Sequence, residues 1–157
     1  VRRANMKTFY SFLFIVFASA CLAGDVDEMR NVLEANFEAC NNEDVAALMA
    51  TCSVDMPRRD EFRRESAKLW EEKDIYYRLI RFKVLEIEGD YAIASVVQTT
   101  FTKDRSSNSN REEFVRNGTG LLTKSECVEY KVAFKKDGRR WKCYLTLTEP
   151  VEYDADN

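Results

Sequence analysis

The period of the hydrophobic pattern changes once along this chain, near Ile75. Before that point apolar residues recur at helical spacing; after it they alternate, as in half-buried strands. Helices first and strands second read as one α+β domain, with helices on one face of an antiparallel sheet. The 157 residues fit a single domain, and 45% hydrophobic and 12% aromatic content suffices for a packed core. With 5 Gly and 2 Pro, long regular elements are expected.

Asp25 and Glu28 have capping-box spacing, followed by Val26, Met29, Leu33, Phe37 and Cys40 on one helical stripe. Asn41-Asn42 ends that helix, and Asn42 is placed to cap the next, whose apolar side carries Val45, Leu48, Met49 and Cys52. Pro57 suits the first turn of a third helix, which buries Phe62, Ser66, Leu69 and Trp70. Arg58, Arg59, Arg63 and Arg64 interleave with Asp60, Glu61 and Glu65, a solvated salt-laced face rather than a phosphate site.

From Ile75 to Glu88, Ile80, Phe82 and Val84 share one parity, and Leu85 and Ile87 take the other, which predicts a bulge near Val84. Gly89-Asp90 turns into a return strand over Tyr91 to Lys103. A polar loop from Lys103 to Glu112 leads to a strand around Phe114, Val115, Leu121 and Leu122, interrupted at Asn117-Gly118. In the last hairpin, a two-residue Asp137-Gly138 turn would set Phe134 opposite Trp141 and Val132 opposite Cys143. That register puts Val128, Tyr130, Val132, Phe134, Trp141, Cys143, Leu145 and Leu147 on one buried face. Glu129, Lys131, Lys135, Lys142, Tyr144 and Thr146 take the wet one.

The first twenty-four residues carry Arg2, Arg3 and Lys7, no acid, and an apolar run from Phe9 to Phe17. Ala18-Ser19-Ala20 and Leu22-Ala23-Gly24 offer small-residue cleavage sites, the pattern of a signal peptide over 1–24. The run is shorter than the roughly twenty residues that span a bilayer. Cys21 after small residues has a lipoprotein-type aspect, although Ala18 stands where such signals carry Leu. The expectation is an exported protein, periplasmic or secreted, with a domain over 25–153 and a tail over 154–157. Membrane contact is then limited to the signal segment or a lipidated Cys21. The Asn117-Gly118-Thr119 sequon carries little weight in a bacterial-type chain.

Helix, short helix, helix and then a bent antiparallel sheet resembles the NTF2-like (SnoaL-like) superfamily across roughly residues 25–152. The resemblance rests on Ala39-Cys40-Asn41-Asn42-Glu43-Asp44-Val45-Ala46-Ala47-Leu48, on Ile87-Glu88-Gly89-Asp90-Tyr91-Ala92, and on Asp137-Gly138-Arg139-Arg140-Trp141-Lys142. It implies a cone: three N-terminal helices packed on a strongly bent sheet, with an apolar cavity at the open end. It implies no single activity, since such folds host isomerases, dehydratases, hydrolases, binders and dimerising modules.

Exclusions narrow the chemistry. The chain has no His, which removes the commonest general base and every Ser-His-Asp, Cys-His or His-containing zinc arrangement. A net charge of −3, more acidic beyond the basic first segment, argues against nucleic acid. Behind Cys21, Cys40, Cys52, Cys127 and Cys143 allow three disulfide pairings. Cys127 and Cys143 fall on opposite faces, and Cys40 and Cys52 sit at far ends of successive elements, so buried free thiols at Cys40 and Cys143 are favoured. No C-x-x-C pair supports a metal site, and no cofactor is expected.

The expected interior is Phe37, Ile80, Phe82, Val84, Val96, Val128, Tyr130 and Val132, with no acid among them. Trp70, Phe82, Gln98, Tyr130 and Trp141 are the candidate pocket residues: apolar bodies with a few hydrogen-bonding tips. Ordinary core packing is the competing explanation. Asp55, beside Met56-Pro57, is the one acid to watch as a catalytic group, against a plain turn carboxylate. Three functions stay open. One is non-catalytic binding of a small apolar ligand. Another is an isomerase or hydratase working through Asp55, Glu112 or Glu113. The third is a homodimer through the outer sheet face.

Overall fold

The computed structural model describes residues 6–105 and 127–152, with backbone alone for 6–22. The strand around Phe114, Val115, Leu121 and Leu122, the Asn117 sequon, Glu112, Glu113 and the Cys21 side chain lie outside what is described. The described elements are helices α1 (Met6–Asn41), α2 (Val45–Thr51) and α3 (Arg59–Glu72), then strands β1 (Lys73–Glu88), β2 (Tyr91–Asp104), β3 (Cys127–Asp137), β4 (Arg140–Thr146) and β5 (Val151–Glu152). Among the described residues, no helix is long and apolar enough to cross a membrane.

The α1 stripe of Met29, Leu33 and Phe37 is buried as its spacing predicts. The expected helix start at Asp25 does not form, because α1 runs through it. Asp25 and Glu28 tie the helix to the last hairpin instead: Trp141 Nε1 donates to Asp25 Oδ1 at 2.9 Å and Arg140 Nε to Glu28 Oε1 at 2.6 Å. At its other end α1 closes in a Schellman motif. Asp44 N–H bonds Ala39 O and Glu43 N–H bonds Cys40 O, with Glu43 in the left-handed region at φ 55°. The cap of α2 is therefore Asp44, which accepts from Ala47 N–H at 2.9 Å, rather than Asn42. Pro57 likewise precedes α3 in a turn and is not in its first turn; the helix starts at Arg59 behind a left-handed Arg58. The charged face of α3 is salt-laced, with Arg58 on Glu61 and Arg63 on Asp60, all solvated pairs of little energetic weight.

The strands form one antiparallel sheet ordered β1-β2-β3-β4, and β5 pairs with β3 beyond the end of β4. Register shifts in β1 fall between Leu79 and Arg81 and between Val84 and Glu86. The second is the bulge predicted near Val84. The first has no counterpart in the sequence reading, and it turns Ile80 outward, 49% exposed, while bringing Tyr77 and Leu79 against the core. These bulges bend the sheet around α1. On the inner face Phe82 opposes Val96, which opposes Tyr130, and Ala94 opposes Val132.

The last hairpin turns one residue later than expected. Asp137 pairs with Arg140, so Gly138-Arg139 is the turn, with Gly138 at φ 66° as a type II′ turn requires. Phe134 then faces Cys143, and Lys136 faces Trp141. A bulge opposite Ala133 and Phe134 puts Leu145 beside Ala133 and brings Thr146 beside Val132. Leu147 is left exposed, and the alternation expected through Leu145 and Leu147 fails.

Kept inside β3, Asp137 grips the segment between α2 and α3: it accepts from Ser53 Oγ at 2.7 Å and from Val54 N–H at 2.8 Å. Burial opposes its charge, but the Val54 N–H, the Ser53 hydroxyl, Lys135 and Lys142 outweigh that and hold the carboxyl below its ordinary value. A carboxyl lowered in the folded state stabilises fully above its unfolded pKa of about 3.9, and that stabilisation is lost as pH falls through the folded value. Asp137→Asn should lower Tm at neutral pH and lose less Tm than the parent on acidification below about pH 4. Thermal melts across that range check it; parallel acid profiles would count against the assignment.

Candidate functional site

The helices cover one face of the bent sheet incompletely, leaving a cavity of about 310 Å³ at the wide end. α1 contributes Asn36, Phe37 and Cys40; α3 contributes Phe62, Ser66 and Trp70; the strands contribute Tyr77, Gln98 and Tyr130. The walls are largely aromatic, with Phe37 and Tyr77 at a centroid distance of 5.8 Å. Asn41 holds Tyr77 in place by its backbone: its Nδ2 donates to Tyr77 O at 2.9 Å, and its Oδ1 accepts from Tyr77 N–H at 2.7 Å.

A short polar relay crosses the sheet side of the cavity. The Tyr130 hydroxyl donates to Gln98 Oε1, and Gln98 Nε2 donates to Thr100 Oγ1 at 3.1 Å. Tyr130 and Gln98 are each 9% exposed. Burial raises the Tyr130 hydroxyl, and burial followed by the neighbouring Cys40 raises that of Tyr77 to about 12. Both phenols therefore stay protonated. Burial, then Cys52, also pushes the Cys40 thiol up to about 12, which leaves it an apolar wall atom rather than a nucleophile. By valence, Gln98 retains a further N–H and Tyr130 a further lone pair. The cavity thus presents apolar surface and neutral hydrogen-bonding groups.

Of the five residues expected in the pocket, Trp70, Gln98 and Tyr130 line this cavity. Phe82 and Trp141 do not, because they sit in the core cluster that Val26, Met29 and Leu33 of α1 fill. Phe82 packs edge-on against Phe134 at 6.0 Å, and Trp141 is core, its ring 4.6 Å from Lys136 Nζ. Asp55 is also outside: its side chain is 60% exposed and pairs with Lys135 on the surface, so it is a turn carboxylate. Sequence reasoning misses Tyr77 among the lining residues, along with Asn36, Pro150 and Thr146, the last of which it places on the wet face. Running the Ile80-Phe82-Val84 alternation backward would drive Arg78 inward, and that conflict is the signal for the first bulge.

An acidic residue that the expected interior omits is fully buried. Asp74, at the start of β1, accepts from Arg105 Nη2 at 2.7 Å and Nε at 3.1 Å, and the same guanidinium bonds Glu43. This cluster joins the α1–α2 corner to the ends of β1 and β2 and lies outside the cavity lining. A larger groove of about 670 Å³ runs between α1 and β4, lined by Asp27, Glu28, Asn31, Arg140, Trp141 and Lys142. Its charges are partly tied to the protein itself, Arg140 to Glu28 and Lys142 Nζ to Ala50 O. Among the described residues no cluster of acidic, Cys or His side chains could hold a metal ion.

A bent sheet closed over three helices around an interior cavity defines an NTF2-like, or cystatin-like, fold, and solved structures with that fold match it. An uncharacterised cystatin-like protein from Caulobacter vibrioides is 11% identical with a TM-score of 0.61, over 85% of this chain and 92% of that one. An NTF2-like protein of unknown function from Pseudomonas putida is 12% identical with a TM-score of 0.55, over 79% and 84%. Bd1075 of Bdellovibrio bacteriovorus is 10% identical with a TM-score of 0.57 over 82% of this chain, which spans only 41% of Bd1075. No curated protein matches by sequence. Residues 31–117 match the family model of the anti-sigma-I factor RsgI9 C-terminal domain, and the chain belongs to that family.

Proposed function

We propose that this is an exported domain that binds a small, largely apolar ligand in the cone cavity without transforming it. The aromatic cavity with its neutral Tyr130–Gln98–Thr100 relay carries this reading. Apolar walls supply affinity, and a few placed polar groups orient the ligand. The position of Asp55 on the outer surface, ion-paired to Lys135, weighs against an isomerase or hydratase working through Asp55, while Glu112 and Glu113 lie outside the described residues. Binding without turnover also suits a domain whose family takes its name from an anti-sigma factor, since a regulator must hold its signal rather than consume it. Export rests on the signal-like pattern over residues 1–24, with Cys21 as its lipidation candidate.

Native mass spectrometry of the purified protein, set against the same sample denatured, tests the binding. A reproducible adduct that disappears on denaturation is the expected result. Gln98→Leu should weaken the captured ligand by about 10- to 100-fold, because it leaves the ligand's polar end and Tyr130 without their partner. A bare monomer that also takes up no neutral hydrophobic dye would overturn the reading, and a clean dimer without adduct would favour the interaction module.

A further inference from the structure

All four described cysteines behind Cys21 carry free thiols, but two of them are neighbours across the sheet edge. The segment after α2 adds a short parallel bridge to β4, pairing Cys52 with Cys143, and Ser53 N–H donates to Cys143 O at 2.8 Å. Neighbouring strands lie about 4.8 Å apart, inside the Cα–Cα range of about 4.4–6.8 Å that a disulfide spans. Both residues line the same void of about 110 Å³, beside Met56 and Tyr130, so their side chains approach from one side. Burial pushes the Cys143 thiol up, and Cys52 is the next influence on it.

We propose that Cys52 and Cys143 are a disulfide site, closed when the chain folds against a thiol–disulfide donor such as oxidised glutathione. The pairing stands on the backbone bridge and the shared void and does not depend on the ligand. Cys52 is the entering thiol. In the folded chain burial holds its thiol above the ordinary value, and the Thr51 hydroxyl, Arg59 and Lys142 offset only part of that. Its thiolate attacks one sulfur of oxidised glutathione and expels a first glutathione thiolate. Cys143 thiolate then attacks Cys52 Sγ and expels the second. The two cysteine protons end on two reduced glutathiones, and the protein loses two hydrogens. Cys52 is 4% exposed, so exchange takes place during folding or when the segment after α2 opens.

The full chain, reduced and denatured, is refolded in oxidised glutathione, alkylated and mapped. Asp-N cleavage before Asp44 separates Cys40 from Cys52, and trypsin separates Cys127 from Cys143. The expected result is a Cys52–Cys143 linked peptide with Cys40 and Cys127 alkylated. Oxidised protein should melt about 10 °C above reduced protein, since the bond closes a loop across most of the domain. That difference should vanish in Cys52→Ala and Cys143→Ala and persist in Cys127→Ala. Complete alkylation of Cys52 and Cys143, or a link through Cys40 or Cys127, would overturn the proposal. If refolding fails, the same map is made on protein recovered natively from an oxidising compartment, where the linked peptide again supports the site and alkylated Cys52 and Cys143 again overturn it.

Discussion

Trp141→Ala is expected to cost about 3–5 kcal/mol of folding stability and to lower Tm by about 10 °C or more. Trp141 is 1% exposed, so truncation opens a cavity the size of an indole in the core. It also takes the indole N–H from the Asp25 carboxylate, which accepts it at 2.9 Å and keeps Lys136 as its partner, and removes the ring beneath Lys136. Trp141→Phe keeps most of the apolar volume and loses the hydrogen bond, so a loss of about 1–2 kcal/mol is expected. Urea unfolding of the three proteins separates the packing loss from the polar one. Equal losses for both substitutions would mean that the hydrogen bond to Asp25, and not packing, is what Trp141 supplies.

Arg105→Met should destabilise by about 3 kcal/mol, because it takes one guanidinium away from two carboxylates at once, one of them buried. The Asp74 side chain is 1% exposed and takes two hydrogen bonds from Arg105. Glu43, the third member, stands in the left-handed region where glycine is favoured, and such a position costs about 1 kcal/mol or more. Its carboxylate meets the guanidinium, so the strained corner between α1 and α2 is fastened to the sheet. The double change Arg105→Met with Asp74→Asn should recover part of the loss. A double mutant as unstable as the sum of the single changes would show that the groups are not coupled.

Much of the fold is legible in the sequence because its signals are local. The α1 stripe of Met29, Leu33 and Phe37, the Gly89-Asp90 turn and the bulge near Val84 follow from periodicity and turn chemistry within a few residues. Other features depend on choices between nearly equal local options. Asp137-Gly138 and Gly138-Arg139 are both acceptable two-residue turns. The second wins where Asp137 can accept from Ser53 and Val54, residues that no local pattern brings near. The capping box at Asp25 gives way for a similar reason: its carboxylate does more for stability on the Trp141 indole than at a helix end inside a continuing helix.

The candidate site divides along the same line. Trp70, Gln98 and Tyr130 reach the cavity because each lies on the inner parity of its own element, which the sequence encodes directly. Placing Phe82 and Trp141 in the core requires knowing where α1 packs on the sheet, and including Tyr77 requires the bulge at Ile80. The sequence alone therefore determined the α+β class, the inward parities of β2 and β3, and the exclusion of histidine-dependent chemistry, since periodicity and composition are properties of the chain itself. Only the tertiary structure decided which inward residues surround empty space, which acid is buried with Arg105, and that Cys52 meets Cys143. Those are relations between distant segments, set by how a bent sheet closes over its helices.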